Sequence, residues 1–390
     1  RASMEVSSSK GGKAATSSPP RRLAIWNARG LMHRLSTKGD RDALSEFLST
    51  EQPDVFAISE THYIEGEESS SWQMMLLFFG ARGYHRMAYN LDPKLRRAGV
   101  LMLLRDGIRP PVFCDLDFVP GLDTEPSYGR VLVVMWDFIL PFTYVPHRGQ
   151  SGASARRREE WDLLVCEFLY ELRQRKVPVV WCGDLNVAPA DMDLHDAWRS
   201  DLSRFTAGSV GGISEEERAM FALQLSAGDL VDAFRSLHPQ SREMSCFAEG
   251  KFQGMSLRLD HFVISRELLS FVESCEFYGA TTAGSFGSDH RCLQLRFRSA
   301  LTSSTSAPAS GAKAVSFGSV SSIPIALELK PQVMCLRRVF GAWRNWWGEY
   351  MLDGDLNAIP VCFTLEGERL EYRSCTLADT GFVVPDLRRQ

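Results

Sequence analysis

No apolar run in this 390-residue chain reaches the ~18–20 positions that a membrane-spanning helix needs, so no membrane association is expected. The N-terminal stretch has no hydrophobic core of the kind that marks a secretory signal. There is no CxxC pair among the nine cysteines, and nine is an odd number, which argues against a zinc ribbon or a complete disulfide framework. Cys182 and Cys292 lie in apolar, strand-like runs, so reduced, buried thiols in an intracellular protein are expected. There is no excess of basic residues either. The net charge of −4 does not advertise a nucleic-acid binder, although a local basic rim can act within a globally acidic chain. The chain also lacks an internal repeat.

What remains is one long structured segment between two polar stretches. Residues 1–20 are rich in Ser, Ala, Gly and Lys and read as a disordered tail, and residues 300–322 read as a linker of the same character. Residues 21–299 then form one large domain, and residues 323–390 a small C-terminal region of unassigned role. Within the large domain, strand-like runs fall at Leu23–Trp26, Val55–Ser59, Val100–Leu104, Val131–Phe138, Val177–Cys182, Leu259–Ile264 and Cys292–Phe297. Helical patterns fall at Asp40–Ser49, Ala155–Arg175 and Ser214–Ser226, the last opening on Ser214 and Glu217 as a capping box. Many strands with a few intervening helices predict two packed sheets with helices outside them.

The strand ends carry the chemistry. Alternate side chains of a strand share a face. Leu23 and Ile25 lead to Asn27, Phe56 and Ile58 to Glu60, Leu140 and Phe142 to Tyr144, and Val180 and Cys182 to Asp184, with Asn186 next in register. Two later strands reverse the order. Asp260 precedes Phe262 and Ile264, and Asp289 precedes Leu293, Leu295 and Phe297. If these two run antiparallel to the others, all the polar positions converge at one mouth of the sandwich. A single polar strand end is a turn residue more often than not. A convergent set holding three Asp and one Glu is self-repelling unless a cation neutralises it. Its hard oxygen donors suit Mg²⁺ or Mn²⁺ rather than zinc.

At these residues the sequence resembles the exonuclease III and abasic-site endonuclease branch of the endonuclease/exonuclease/phosphatase family. The resemblance rests on "IWNARGL" around Asn27, "PDVFAISETH" around Glu60, "AGVLML" at Gly99, "GRVL" at Gly129, "YVPHRG" at Tyr144 and "RREEWD" ending at Asp162. It continues through "PVVWCGDLNVAPADMDL" from Pro178 to Leu194, "LRLDHFVIS" around Asp260 and "GSDHRCL" around Asp289 and His290. The resemblance implies a DNase I-like four-layer α/β sandwich of two mixed β-sheets flanked by helices. It implies metal ligands at Asn27, Glu60 and Asp289, a water-activating carboxylate at Asp184, a phosphate contact at Asn186, a His290–Asp260 pair at the scissile phosphate, and Tyr144 near the leaving oxygen. The implied reaction is Mg²⁺-dependent cleavage of duplex DNA 5′ to an abasic site in base excision repair, with 3′→5′ exonuclease activity as a companion, and the implied compartment is the nucleus.

Three positions depart from that pattern. The family has Asn or Asp where Arg29 stands, Asn where His147 stands, and an aromatic where Leu257 stands. Arg29 would place a cation beside the metal, His147 would meet phosphate with a different geometry, and Leu257 would keep an apolar pocket wall without stacking. Two further readings therefore stay open: a retroelement-type or RNA-directed nuclease of the same family, and a nucleic-acid-binding module with impaired catalysis. Arg148 and Arg156, with Arg157 and Arg158, are candidates for tracking a phosphate backbone, or else a solvated helix start. Trp161 and Trp181 read as core. In the C-terminal region, apolar residues from Val333 to Tyr350 recur at helical spacing, and Ile359–Leu365 with Arg369–Arg373 reads as a hairpin.

Overall fold

The computed structural model describes residues 19–64, 70–92, 96, 98–111, 113–115, 128–149, 151–196, 212–247, 256–298, 361–366 and 369–374. The expected linker and the helical pattern of 333–350 lie outside these residues, as does all but the end of the expected N-terminal tail.

Two six-stranded sheets form the centre. The first contains β1 (Arg22–Asn27), β2 (Val55–Ser59), β3 (Arg86–Asn90), β4 (Val100–Leu104), β13 (Val272–Phe277) and β14 (Leu293–Phe297), in the order β13-β14-β1-β2-β4-β3. The second contains β5 (Phe113–Asp115), β6 (Val131–Met135), β7 (Ile139–Tyr144), β8 (Val180–Asp184), β9 (Leu230–Asp232) and β12 (Asp260–Ser265), in the order β5-β6-β7-β8-β12-β9. Both sheets are mixed: β1–β2 and β7–β8 are parallel, while β14–β1 and β12–β8 are antiparallel.

Side-chain alternation builds the layers. Leu23, Ile25, Val55 and Ala57 of the first sheet meet Leu140, Phe142, Val180, Cys182, Phe262 and Ile264 of the second in the inter-sheet core. The opposite face of the first sheet, with Ala24, Trp26, Phe56 and Ile58, packs on α1 (Leu31–Ser36), α2 (Lys38–Thr50) and α3 (Ser70–Gly80). The outer face of the second sheet, with Val131, Val133, Trp181 and Val263, packs on α4 (Gly152–Gln174) and α5 (Glu215–Gly228). This is the four-layer sandwich expected. Trp161 and Trp181 are core residues, as read from the sequence.

The capping box forms as predicted: Ser214 Oγ accepts from Glu217 N, and Glu217 Oε2 accepts from Ser214 N. The run Val131–Phe138 is not one strand. β6 stops at Met135, and Trp136–Phe138 turn the chain into β7, the Trp136 amide donating to the Phe138 carbonyl at 2.9 Å. The C-terminal hairpin forms from β15 (Val361–Glu366) and β16 (Arg369–Ser374), with Glu366 paired to Arg369. Among the described residues no helix is long and apolar enough to cross a membrane.

Candidate active site

The pairing brings the polar strand ends to one mouth. Asn27 stands opposite Ser59 at the ends of β1 and β2. Tyr144 stands opposite Asp184 at the ends of β7 and β8, and Asp260, the first residue of β12, stands opposite Asp184 on its other side. Because β14 runs against β1, the segment before it, Ser288–Asp289–His290, arrives at the same place, and Ser288 Oγ donates to the Asn27 carbonyl at 2.7 Å.

Hydrogen bonds join these groups. Asn27 Nδ2 donates to Glu60 Oε1 at 2.8 Å and to Asp184 Oδ2 at 3.0 Å, tying the two sheets together across the mouth. His290 Nδ1 lies 2.8 Å from Asp260 Oδ2, and its Nε2 lies 4.0 Å from Asp184 Oδ2. Asn186 donates its backbone N–H to Asp184 Oδ1 at 3.0 Å and its side-chain amide to the Val145 carbonyl at 2.8 Å. Tyr144 lies near enough to Glu60 to feel its charge, and the Arg130 guanidinium lies over the Tyr144 ring, 4.3 Å from its centroid. Asp289 Oδ2 is held by Arg29 Nη1 at 2.9 Å.

The backbone is strained where the chemistry sits. Arg29 (φ 47), Glu60 (φ 51), His62 (φ 60) and Asn186 (φ 48) all adopt left-handed conformations without being glycine. At Glu60 this overturns the expected register. Phe56 and Ile58 face the helices, so a continued strand would point Glu60 outward with them. The left-handed turn brings Glu60 to the inter-sheet mouth instead. At Arg29 the extended geometry likewise ends, yet its side chain still reaches the site. Gly183 (φ 134) is required for a different reason: a Cβ there would collide with the Thr143 carbonyl of the neighbouring strand.

Electrostatics divide the carboxylates. Burial alone would raise the Glu60 pKa, but hydrogen bonds from His62 and Asn27 and the charge of His290 hold it down at about 2. Burial, and then the negative Asp260 and Glu60, push Asp184 up to about 7. For His290, burial opposes the charged form, but its acidic neighbours Cys246 and Asp260 keep its pKa well above the ordinary value. Burial and the Glu60 charge keep Tyr144 a neutral phenol, a hydrogen-bond donor. The elevated Asp184 pKa marks surplus negative charge in a mouth lined by oxygen donors. That is the environment a hard divalent cation relieves, so Glu60 and the oxygens beside it fit one. Asp184, Asp260 and His290 also present ligand-capable atoms within 4.8 Å of one another.

Every catalytic and metal candidate read from the sequence therefore reaches the mouth. The basic candidates divide. Arg156 and Arg157 are exposed on the first turns of α4. Arg158, grouped with them by sequence, is 3% exposed and belongs to the interior. It bonds Asp162 Oδ2 at 2.8 Å and the carbonyls of Pro146, Leu185 and Asn186 at 3.2, 3.3 and 3.0 Å. It clamps the loops that carry Asn186 and His147 rather than meeting a phosphate. Arg148 is engaged by Ser214 Oγ at 2.8 Å and Glu216 at 3.2 Å, and His147 is exposed, its Nδ1 accepting from Gly149 N at 2.9 Å. Leu257 packs with Ala188, Leu194 and Leu259 as an apolar wall. Sequence reasoning passed over His62 and Arg130, which buttress Glu60 and Tyr144, and Cys246, which is bridged to His290. The only signal for His62 was its place two residues after Glu60.

Residues 24–290 match the sequence model of the Endonuclease/Exonuclease/phosphatase family. The chain belongs to that family. Within it, a DNA-(apurinic or apyrimidinic site) endonuclease of Arabidopsis thaliana is 29% identical over 309 residues, covering 70% of this chain and 83% of the relative. Among solved structures, AP endonuclease LMAP from Leishmania major superposes with a TM-score of 0.58 at 24% identity, covering 72% of this chain and 88% of that one. The 3′ phosphatase NExo from Neisseria, bound to product DNA hairpin, superposes with a TM-score of 0.57 at 22% identity, covering 71% and 99%. The superpositions establish a shared fold. The family match bears out the resemblance read from the sequence, and the relatives' names agree with an enzyme of the DNA-repair nuclease type.

Proposed function

We propose that this protein is a divalent-metal-dependent endonuclease that cuts duplex DNA on the 5′ side of an abasic site, leaving a 3′-hydroxyl, with 3′→5′ exonuclease activity as a secondary reaction in the same site. It would act in the nucleus. The observation that carries the reading is the junction across the mouth: Asn27 bonded to both Glu60 and Asp184, with His290 aligned by Asp260 beside them.

A phosphodiester resists attack because it is anionic, so cleavage needs positive charge at the phosphate, an oriented water and an acid for the leaving oxygen. Bound magnesium, held by Glu60 with Asn27 and Asp289, would supply charge at the phosphate. Asp184 orients the attacking water and takes its proton; its high pKa suits it to do so near neutral pH. Asp260 fixes the imidazole of His290 so that its Nε2 side faces the phosphate, as a carboxylate orients histidine in a catalytic triad. Asn186 contributes an amide N–H to a phosphate oxygen. The neutral Tyr144 hydroxyl donates towards the leaving oxygen. Arg156 and Arg157, both exposed, would meet flanking backbone phosphates.

The deciding experiment incubates the full chain and Mg²⁺ with labelled duplex holding an abasic analogue, with intact duplex and with single-stranded RNA. Cleavage immediately 5′ to the lesion, abolished by EDTA and restored by Mg²⁺, is the expected result. Preferential cutting of RNA would transfer the protein to the RNA-directed reading. Binding without cleavage at saturating Mg²⁺ or Mn²⁺ would refute the enzymatic one.

A further inference from the structure

One group of side chains at the mouth has a chemistry the proposed reaction does not use. Cys246 lies in the two-residue strand β10 (Cys246–Phe247), paired with β11 (Ser256–Leu257). Its other edge is zipped to the segment that carries the catalytic histidine: Cys246 and His290 form an antiparallel bridge, Phe247 N donates to the Asp289 carbonyl at 2.9 Å, and Arg291 N donates to the Ser245 carbonyl at 2.7 Å. Directly bridged residues of antiparallel strands carry their side chains on the same face. The thiol and the imidazole accordingly lie side by side. Cys246, Asp289 and His290 present one sulfur, one carboxylate oxygen and one ring nitrogen within 4.8 Å of one another.

We propose that Cys246, His290 and Asp289 form a binding site for Zn²⁺, and that Zn²⁺ bound there inhibits the enzyme. Three features argue for it. The donor set is one thiolate, one imidazole and one carboxylate, the mixture that selects zinc over magnesium, which prefers oxygen alone. Around a tetrahedral zinc the ligand atoms stand roughly 3.3–3.8 Å apart, so about an ångström of side-chain movement closes the site. Finally, the Asp260 carboxylate already engages His290 Nδ1 at 2.8 Å, which leaves Nε2 as the ligating atom and supplies the outer carboxylate that metal-binding histidines have. Cys246 is partly exposed. Four other cysteines lie elsewhere: Cys182, Cys275 and Cys292 are buried in the core, and Cys166 lies on α4.

Inhibition follows from which atoms zinc would take. Nε2 is the nitrogen assigned to the phosphate, and Asp289 is assigned to the magnesium site. Zinc would thus remove a phosphate donor and an oxygen ligand together. This consequence rests on the proposed nuclease reaction, whereas zinc binding itself does not.

The test uses the full chain and two independent readings. First, Co²⁺ is titrated as a spectroscopic stand-in for zinc, in wild type and in Cys246→Ser, with Cys246→Ala as a second variant and thermal melting to confirm that each folds. The expected result is a thiolate-to-cobalt charge-transfer band that Zn²⁺ displaces, with one equivalent of it missing from both variants. Cysteines elsewhere contribute equally to all three proteins and cancel in the difference. Second, cleavage of abasic duplex at fixed Mg²⁺ is measured against buffered Zn²⁺, each protein being normalised to its own zinc-free rate. Inhibition of wild type at a zinc concentration at least about tenfold below that needed for the variants is expected for the loss of one of three ligands. Equal zinc sensitivity, stimulation by zinc, or a cobalt difference spectrum without a thiolate band would overturn the proposal. A wild type that shows the cobalt band but no Mg²⁺-dependent cleavage would instead refute the nuclease reading and leave the zinc site standing.

Discussion

Replacing Arg29 by Asn is expected to tighten divalent-cation binding by about tenfold. Arg29 Nη1 lies 2.9 Å from Asp289 Oδ2, with the two side chains 42% and 16% exposed. Two unit charges about 4 Å apart attract by about 4 kcal/mol at an effective dielectric near 20. The guanidinium is in contact with water, so screening brings the pair down towards the ~1 kcal/mol of exposed ion pairs, and 1–2 kcal/mol is the order that applies. A cation that recruits Asp289 has to displace that interaction, and about 1.4 kcal/mol corresponds to a factor of ten in affinity. The assay is a Mn²⁺ titration without substrate, followed by the resonance of the free ion, so that catalysis does not enter. Arg29→Lys keeps the charge but loses the planar fork, and its isotherm should stay close to wild type. An Arg29→Asn isotherm that overlays the wild-type one would show that the Arg29–Asp289 pair does not compete with the metal.

Three other perturbations separate the roles assigned above. Asp184→Asn keeps the shape of the carboxylate and removes the base, so single-turnover cleavage should fall by about 10²–10⁴ with DNA affinity retained; wild-type turnover would remove Asp184 from the mechanism. Arg158→Ala should cost about 3–5 kcal/mol in unfolding free energy, because it strands the buried Asp162 and three backbone carbonyls. Arg156→Ala should leave melting unchanged and lower the salt dependence of DNA binding by about one unit; identical melting in the two variants would contradict the burial of Arg158. Acid stability should depend on Asp193 and Asp232. Burial alone would raise both pKa values, but Arg258 and its neighbours hold them below the ordinary range. A depressed folded pKa contributes stability above the unfolded value of about 3.9 and loses it as pH falls through the folded one. Wild type should therefore lose stability steeply in that acid window, and urea titrations of Asp232→Asn against pH should show a shallower loss there; parallel curves would count against the network.

Much of the fold was legible because β1, β7, β8 and β12 keep a strict period of two. Leu23 and Ile25, Leu140 and Phe142, Val180 and Cys182, and Phe262 and Ile264 all face the inter-sheet core. The polar residue that ends or begins each run then had to appear at the mouth, and Asn27, Tyr144, Asp184 and Asp260 do. Helix α3 was not legible for the opposite reason. Its sequence, SSWQMMLLFFG, is apolar on nearly every side, so it shows no 3.6-residue period even though only Trp72, Met75, Phe78 and Phe79 are buried in it. Glu60 reached the mouth against its period, because no alternation rule anticipates a left-handed residue just past a strand.

The misreading of Arg158 shows what a charge run conceals. Three consecutive arginines look like one basic surface, but successive helical residues turn by about 100° and cannot all face the same way. Arg158, Trp161, Asp162, Val165, Leu169 and Leu172 are the buried stripe of α4, spaced by three, one, three, four and three residues, so the helical period already set Arg158 apart from Arg156 and Arg157. The pairing of Arg158 with Asp162 at i+4 was a second signal, since an ion pair in register with a buried stripe points inward. The function of this buried charge follows from its partners. Its guanidinium joins the carbonyls of Pro146, Leu185 and Asn186, which belong to the loops leaving β7 and β8. Apolar packing ends where those strands end, so an interior arginine does there what side-chain interdigitation does within the sheets: it holds Asn186 in its left-handed conformation beside Asp184. Cys246 lies beyond such reasoning, because its contact with His290 depends on a single bridge between distant segments, which no local period encodes.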